Sequence, residues 1–136
     1  GMRLKGFQQA MKNAKVSVPN EYIRLFENTQ EHAMQATREL LSLPKPPTAI
    51  FAAADIQALS ALKVTREMGI KVPEQLAVVG FDDIDSAEFM DLTTVRQHLD
   101  ESGKLAVEIL LAHIADPSRP PQHVNIPLNL IERQTT

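Results

Sequence analysis

Apolar residues recur along this chain with two different periods, and each change of period marks a new element. A spacing of three to four residues predicts amphipathic helices over residues 3–15, 31–43, 56–68 and 101–115. Apolar runs or two-residue alternation predict extended segments over residues 22–26, 48–54, 77–81, 92–97 and 123–133, and a short helix is expected over 84–89. Strands that alternate with helices predict an α/β fold with a mostly parallel sheet, flanked by helices and joined by right-handed crossovers.

Two features of the pattern concern the ends of elements. Asp55 is expected to cap the helix that runs to Met68, and Gly69 is expected to close that helix. The helix over 101–115 is apolar almost all round, so we expect it to be buried, against a neighbour that could lie outside this chain. The chain also opens with a helix where a parallel α/β unit normally opens with a strand. We therefore expect a fragment that is truncated at its N-terminus.

Composition narrows the class of protein. A length of 136 residues is typical of one domain with a real core, and the net charge of −3 comes from scattered charges. No basic face of the kind that nucleic-acid binders use is evident. The chain has no cysteine, no signal peptide and no apolar run of about 18 residues. These features predict a cytoplasmic protein without disulfides or a membrane segment.

The region 77–97 carries the clearest chemical signal. A buried strand is predicted to end directly before Asp82 and Asp83, and ligands of open α/β sheets bind beyond the carboxyl ends of such strands. The four histidines lack metal-ligand spacing, and the common nucleophile and phosphate-binding motifs do not occur. We therefore expect a ligand-binding domain that is not an enzyme and uses neither a metal nor a cofactor.

Several short motifs follow one another in a characteristic order. They are R-L-K-G-F at 3–7, P-T-A-I-F at 47–51, A-D at 54–55, Ala58, G-I-K-V-P at 69–73, V-G-F-D-D at 79–83, L-T-T-V-R-Q at 92–97, Gly103 with Ala106, and L-I-E-R at 130–133. In this order and spacing the chain resembles the effector-binding region of the LacI/GalR family of bacterial transcription regulators. The resemblance covers the second half of a typical member, whose fold is periplasmic-binding-protein-like.

The resemblance also implies a division of the chain. Residues 1–91 correspond to most of the C-terminal subdomain of the effector-binding domain. Residues 92–99 correspond to a crossover strand, and residues 100–136 to a remnant of the N-terminal subdomain. In this interpretation the DNA-binding helix-turn-helix belongs to an N-terminal domain that this chain lacks, so we expect no operator binding by the chain alone.

Site residues follow from the same resemblance. Arg3 and Asp82 occupy positions that hold the effector in the family, and their chemistry suits a sugar, because a carboxylate accepts hydroxyl hydrogen bonds and a guanidinium donates. The alternatives are a solvated Arg3 and a capping Asp82. For Asp83, capping the 84–89 helix is favoured over ligand contact. Further ligand candidates are Asp55, with capping as its favoured role, and Asn28, where many members have an aromatic residue. Glu27 is a candidate for a different reason, because it follows the predicted 22–26 strand at the same sheet edge.

A group of apolar residues resembles the dimer-forming face of the family, and packing on the sheet is the alternative for the first two of them. The group comprises Leu59, Leu62, Ile84, Phe89 and Met90. Together these features predict an effector-sensing and dimerisation module of a LacI-type regulator, whose partners are a small carbohydrate and a second copy. The alternatives are a sugar-binding protein of the periplasmic transport type and, less favoured, a phosphate-accepting receiver. The sensor hypothesis requires Arg3 and Asp82 to converge on one crevice.

Overall fold

The computed structural model describes residues 1–136 and contains five helices and four short strands. A 3₁₀ turn at Asn20–Tyr22 is the remaining regular element. In chain order the elements are α1 (Met2–Asn13), α2 (Gln30–Leu41), β1 (Ala49–Phe51), α3 (Asp55–Met68), β2 (Ala77–Val79), α4 (Asp85–Phe89), β3 (Thr94–Arg96), α5 (Leu99–Ala115) and β4 (Asn129–Ile131). The α/β alternation predicted from the sequence is confirmed. None of the helices is both long and apolar enough to cross a membrane.

The strands bring three chain segments to one edge of the fold. β1 pairs in parallel with β2, with Ala49 opposite Ala77. Parallel bridges from Val79 to Thr93 and from Asp82 to Arg96 carry the arrangement on to β3, which pairs antiparallel with β4. Because β1, β2 and β3 run in the same direction, their carboxyl ends meet at the same edge.

The core lies between α3 and the β1–β2 pair. Val78, Leu76 and Leu92 are almost completely buried there, and Leu62 of α3 is only 5% exposed. α2 packs beside α3 and buries Ala33, Ala36 and Leu40. This core fixes the direction in which β1 and β2 point their carboxyl ends.

The strand predicted over residues 22–26 is wrong. The 3₁₀ turn at Asn20–Tyr22 is followed by irregular chain, and Ile23 has an extended backbone without a ladder partner. An apolar cavity of about 560 Å³ lies between this segment and β1. A strand is stabilised by hydrogen bonds to a neighbour, and none of the four strands pairs with this segment.

Helix α5 is not buried within this chain, in which the sequence pattern already allowed its neighbour to be missing. It has no buried residue, and Leu110, Leu111 and Ile114 are each more than half exposed. The apolar pattern correctly predicted a helix, but no other element of the chain covers it. The last strand is also shorter than predicted, since only Asn129–Ile131 pairs with β3.

Two of the predicted helix caps are wrong, whereas the predicted helix stop is confirmed. Gly69 ends α3 in the left-handed region, with φ of 70°. The N-cap of α3 is Ala54, and the Asp55 side chain turns into the core. Likewise the N-cap of α4 is Ile84 and not Asp83, and no side chain caps that helix. Both aspartates form stronger tertiary contacts, described below, than a cap would give them.

Candidate effector-binding site

Arg3 and Asp82 meet at the carboxyl edge of the sheet. A guanidinium nitrogen of Arg3 lies 3.0 Å from Oδ1 of Asp82. The other terminal nitrogen donates to the carbonyl oxygen of Ala53, just beyond β1, and the guanidinium carbon lies 4.0 Å from the centre of the Phe81 ring. The first turn of α1 is thereby joined to the ends of β1 and β2. The convergence expected from the sequence is present, while the role in ligand binding remains a prediction.

The backbone holds Asp82 in an unusual conformation. Its φ is 128°, and that of Asp83 is 57°, both in the positive region that non-glycine residues rarely adopt. The Asp82 amide donates to the carbonyl oxygen of Val95 at 2.9 Å, and Gln97 Nε2 donates to Asp82 Oδ1 at 2.5 Å. Oδ2 of Asp82 makes no hydrogen bond within the chain and is therefore available to accept one from a ligand.

Burial and a second acid disturb the titration of Asp82. Partial burial raises the pKa of this carboxyl, and the nearby Asp55 raises it further. The charge of Arg3 and the hydrogen bonds from Arg3 and Gln97 oppose these effects only in part, so the pKa of Asp82 lies above its ordinary value. The charged form of Asp82 is thus maintained at a cost to the free chain, as is common at binding sites.

Asp55 lies beneath the site and does not face it. The residue is fully buried, its Oδ2 accepts the Ile84 amide at 3.0 Å, and its Oδ1 accepts the Thr94 hydroxyl at 2.5 Å. A Cβ atom on Gly80 would lie 2.2 Å from Oδ1, so only glycine leaves room for this carboxylate. The prediction of Asp55 as a ligand residue is therefore wrong, because both of its oxygens are already used inside the core.

Asp83 anchors the same loop from the other side. Its two oxygens accept from Arg133 at 2.8 Å and from Arg96 at 2.5 Å. Burial alone would raise the pKa of Asp83, but the hydrogen bonds and charges of the two arginines outweigh that effect and leave the pKa below its ordinary value. Arg133 also donates to the carbonyl oxygen of Leu92 at 2.7 Å, which ties the end of the chain to the site loop.

The remaining sugar-contact candidates differ in their surroundings. Asn28 is exposed, and its Oδ1 accepts from Gln57 Nε2 at 3.0 Å. Gln57 in turn accepts the Ala53 amide at 3.2 Å, so Asn28 is connected to the residue that Arg3 contacts. Glu27 is exposed and its side chain makes no hydrogen bond, so the structure does not bring it into this group.

The residues predicted to form a dimer face do not all lie on the surface. Leu62 is part of the core, and the half-buried Leu59 packs against it, which agrees with the alternative of packing on the sheet. Phe89 is 87% exposed and Ile84 is 37% exposed, while Met90 is half-buried. The most exposed residues of the predicted face are therefore in α4 and at its N-cap, and pairing through this face remains a prediction.

Sequence reasoning overlooked four residues that shape the site. Gln97, Arg133 and Phe81 belong to the quoted motifs, which assign them no role in the site, and no motif includes Gln57. A polar residue just beyond β3, at the edge where the acids lie, was a usable signal for Gln97. A glutamine in the first turn of α3 was a signal for Gln57, because that position often bonds backward to a free amide.

The charges of the site are mutually paired. Two carboxylates face three arginines: Arg3 pairs with Asp82, and Arg96 and Arg133 both pair with Asp83. Asp82 and Asn28 each keep a hydrogen-bonding atom without a partner in the chain, Oδ2 of Asp82 and Nδ2 of Asn28. No group of three or more potential metal ligands occurs in the chain. The apolar cavity beside β1 reaches Ala53 and Gln57, but neither Arg3 nor Asp82 lines it.

A parallel sheet with polar and charged side chains collected at its carboxyl edge is typical of α/β domains that bind small ligands. The chain belongs to the periplasmic binding protein-like domain family, whose model matches residues 1–136, and it corresponds to the effector-binding region of LacI/GalR-type regulators.

Individual relatives agree with this assignment. The "HTH-type transcriptional repressor PurR" of Escherichia coli is 36% identical over 135 residues, which are 98% of this chain and 40% of the relative. A regulatory protein of the LacI family from Chloroflexus aggregans has a TM-score of 0.90 and 33% identity, covering 98% of this chain and 49% of the other. The transcriptional regulator CelR in complex with cellobiose has a TM-score of 0.89 and 31% identity, covering 98% and 42%. The chain thus spans less than half the length of each.

Proposed function

We propose that this chain forms part of the effector-sensing region of a LacI-type transcription regulator and that its site binds a neutral sugar. The observation that carries the proposal is the convergence of Arg3, Asp82 and Gln97 at the carboxyl edge of the sheet. Membership of the family and the cellobiose complex of CelR support it. The alternative of a periplasmic transport protein is less favoured, since the named relatives are regulators.

The charge pattern favours a neutral ligand over an anionic one. Every arginine at the edge of the sheet already faces a carboxylate, so a phosphate would find no unpaired cation there. Oδ2 of Asp82 can accept a hydrogen bond from a hydroxyl, and the Asn28 amide can donate one. A hydroxyl both donates and accepts, which makes a polyhydroxylated neutral molecule the best match.

In this proposal the site positions the ligand and does not convert it chemically. The site would hold the ligand between the first turn of α1 and the loop at 81–84. That loop is tied through Asp83 to Arg96 and Arg133. A ligand that favours one arrangement of this loop would shift the population of that arrangement, which is how a sensor transmits occupancy. Pairing through the α4 surface at Phe89 is part of the same proposal.

Calorimetry on the 136-residue chain tests the ligand class. We expect cellobiose and glucose to bind with dissociation constants in the millimolar range, because the site is open to solvent, and glucose 6-phosphate to bind more weakly than glucose. Arg3→Met is expected to abolish binding. The matched control is Arg119→Met, which removes an exposed arginine far from the sheet edge and leaves binding unchanged. Preference for the phosphorylated sugar would contradict the proposal.

A further inference from the structure

A second polar pair adjoins Arg3 at the end of β1. Gln57 Nε2 donates to Asn28 Oδ1 at 3.0 Å, and Gln57 Oε1 accepts the Ala53 amide at 3.2 Å. The carbonyl oxygen of the same Ala53 accepts from Arg3. Hydrogen bonds therefore run without interruption from Asn28 through Gln57 and Ala53 to Arg3, and then on to Asp82 and Gln97.

The local sequence explains why Gln57 is placed this way. The N-cap of α3 is Ala54, which has no side-chain oxygen to satisfy a free amide at the start of the helix. Gln57 is the third residue of α3, the position from which a glutamine bonds backward toward the cap. Its oxygen satisfies the Ala53 amide, and its nitrogen is left to face Asn28.

This contact fixes what Asn28 presents to the solvent. Its oxygen is occupied by Gln57, while its nitrogen makes no hydrogen bond and the residue is exposed. We infer that Gln57 is a positioning residue, which holds the Asn28 amide with both N–H groups free to donate to a ligand oxygen. The inference rests on the proposed function. It assigns a donor, the Asn28 amide, to one end of the series of hydrogen bonds from Asn28 to Gln97 and an acceptor, Oδ2 of Asp82, near the other end.

The arrangement has a consequence for ligand chemistry. A ligand must offer an acceptor oxygen to Asn28 and a hydroxyl hydrogen to Asp82, and a sugar carries several groups of both kinds. The phenyl face of Phe81 is covered by the Arg3 guanidinium. That face is not available for stacking, so we expect the ligand to be recognised through hydrogen bonds of its hydroxyl groups.

Two substitutions at Gln57 separate helix capping from positioning. Gln57→Met removes both functions. Gln57→Glu keeps an oxygen for the Ala53 amide but removes the donor to Asn28, so the Asn28 amide turns and its nitrogen is consumed within the protein. Asn28→Asp keeps the acceptor for Gln57 and removes the donor to the ligand. Gln35→Glu is the matched control, because Gln35 is exposed and its side chain bonds only to Glu39, another exposed residue of α2.

The readouts are cellobiose affinity and the ¹⁵N order parameter of the Asn28 side-chain amide in the ligand-free chain. We expect Gln57→Met, Gln57→Glu and Asn28→Asp each to weaken cellobiose binding by about fivefold to tenfold, the loss of one hydrogen bond, and Gln35→Glu to leave it unchanged. Exchange of the Ala53 amide should accelerate in Gln57→Met only.

The results that would contradict the inference differ from the result that would contradict the proposed function. Unchanged affinity in Gln57→Glu or Asn28→Asp would overturn the inference while leaving the proposed function intact. Absence of binding to any neutral sugar by the unsubstituted chain would overturn the proposed function, and the ligand role of Asn28 with it. An Asn28 order parameter that does not fall in Gln57→Met would overturn the positioning role of Gln57, whatever the sugar result.

Discussion

Gly80→Ala tests how tightly the carboxylate of Asp55 is built into the fold. The new Cβ would lie 2.2 Å from Asp55 Oδ1, 3.0 Å from a methyl carbon of Leu92 and 3.3 Å from the Cβ of Ala58. Leucine can turn aside at small cost, but the short Asp55 side chain is fully buried and held by Ile84 and Thr94. The carboxylate must therefore move and lose part of its hydrogen bonding.

The magnitude follows from these contacts. Overpacking of a core costs about 1–3 kcal/mol, and each hydrogen bond to a charged group that is lost costs about 1.5–3 kcal/mol. With one such bond broken, Gly80→Ala should lower the free energy of unfolding by about 3–5 kcal/mol. In urea denaturation followed by circular dichroism, the midpoint should fall by about 2 M.

The chain offers a matched control. Gly103 lies within α5, and a Cβ there meets no atom within 4 Å. Gly103→Ala should raise the stability of the helix by about 0.5–1 kcal/mol, because alanine loses less backbone entropy on folding. A Gly80→Ala chain that unfolds within about 0.5 kcal/mol of the unsubstituted protein would refute the reasoning, since the Asp55 carboxylate would then not fill that space.

Three further predictions concern the acids and the exposed face. Burial raises the pKa of Asp82, so the stability that this residue contributes is full below the ordinary carboxyl pKa and is lost as the pH rises through the raised value. Asp82→Asn should therefore stabilise the free chain at pH 7 in urea denaturation while weakening sugar binding. A variant less stable than the unsubstituted chain would contradict this. The pKa of Asp83 is lowered, so its contribution is present above the ordinary carboxyl pKa and is lost as the pH falls through the lowered value. Asp83→Asn should cost about 2 kcal/mol at pH 7, because Arg133 is only 12% exposed, and should show a weaker loss of stability below pH 4; equal acid sensitivity in both chains would count against the ion pairs. Phe89→Glu should reduce self-association in sedimentation without changing stability, whereas Leu62→Glu should prevent folding, and dimers that persist in Phe89→Glu would place the interface elsewhere.

Local sequence patterns predicted the elements well where the neighbours lie within the chain. The helix over 56–68 ends at Gly69 as expected, because the left-handed conformation there depends on that residue alone. The strand over 77–81 was predicted from its apolar run and pairs with β1 over Ala77–Val79. Residues 22–26 and α5 show the limit of such patterns, because pairing and burial depend on partners that periodicity does not reveal.

The candidate site was predictable in part. The placement of Asp82 beyond a parallel strand and the family motif at Arg3 were enough to predict that the two side chains meet. The same reasoning gave the wrong role to Asp55, because a local helix cap was the nearest available explanation for an aspartate at that position. The contacts of Asp55 with Ile84 and Thr94 lie 29 and 39 residues away in sequence, beyond the reach of a local pattern.

The most direct test of the effector site is a set of intermolecular nuclear Overhauser effects between cellobiose and the chain labelled with ¹³C and ¹⁵N. The proposed site predicts contacts from sugar protons to the side-chain amides of Gln97 and Asn28 and to the guanidinium of Arg3. Contacts instead with Phe7 and Phe51, whose stacked rings line the apolar cavity, would contradict the account.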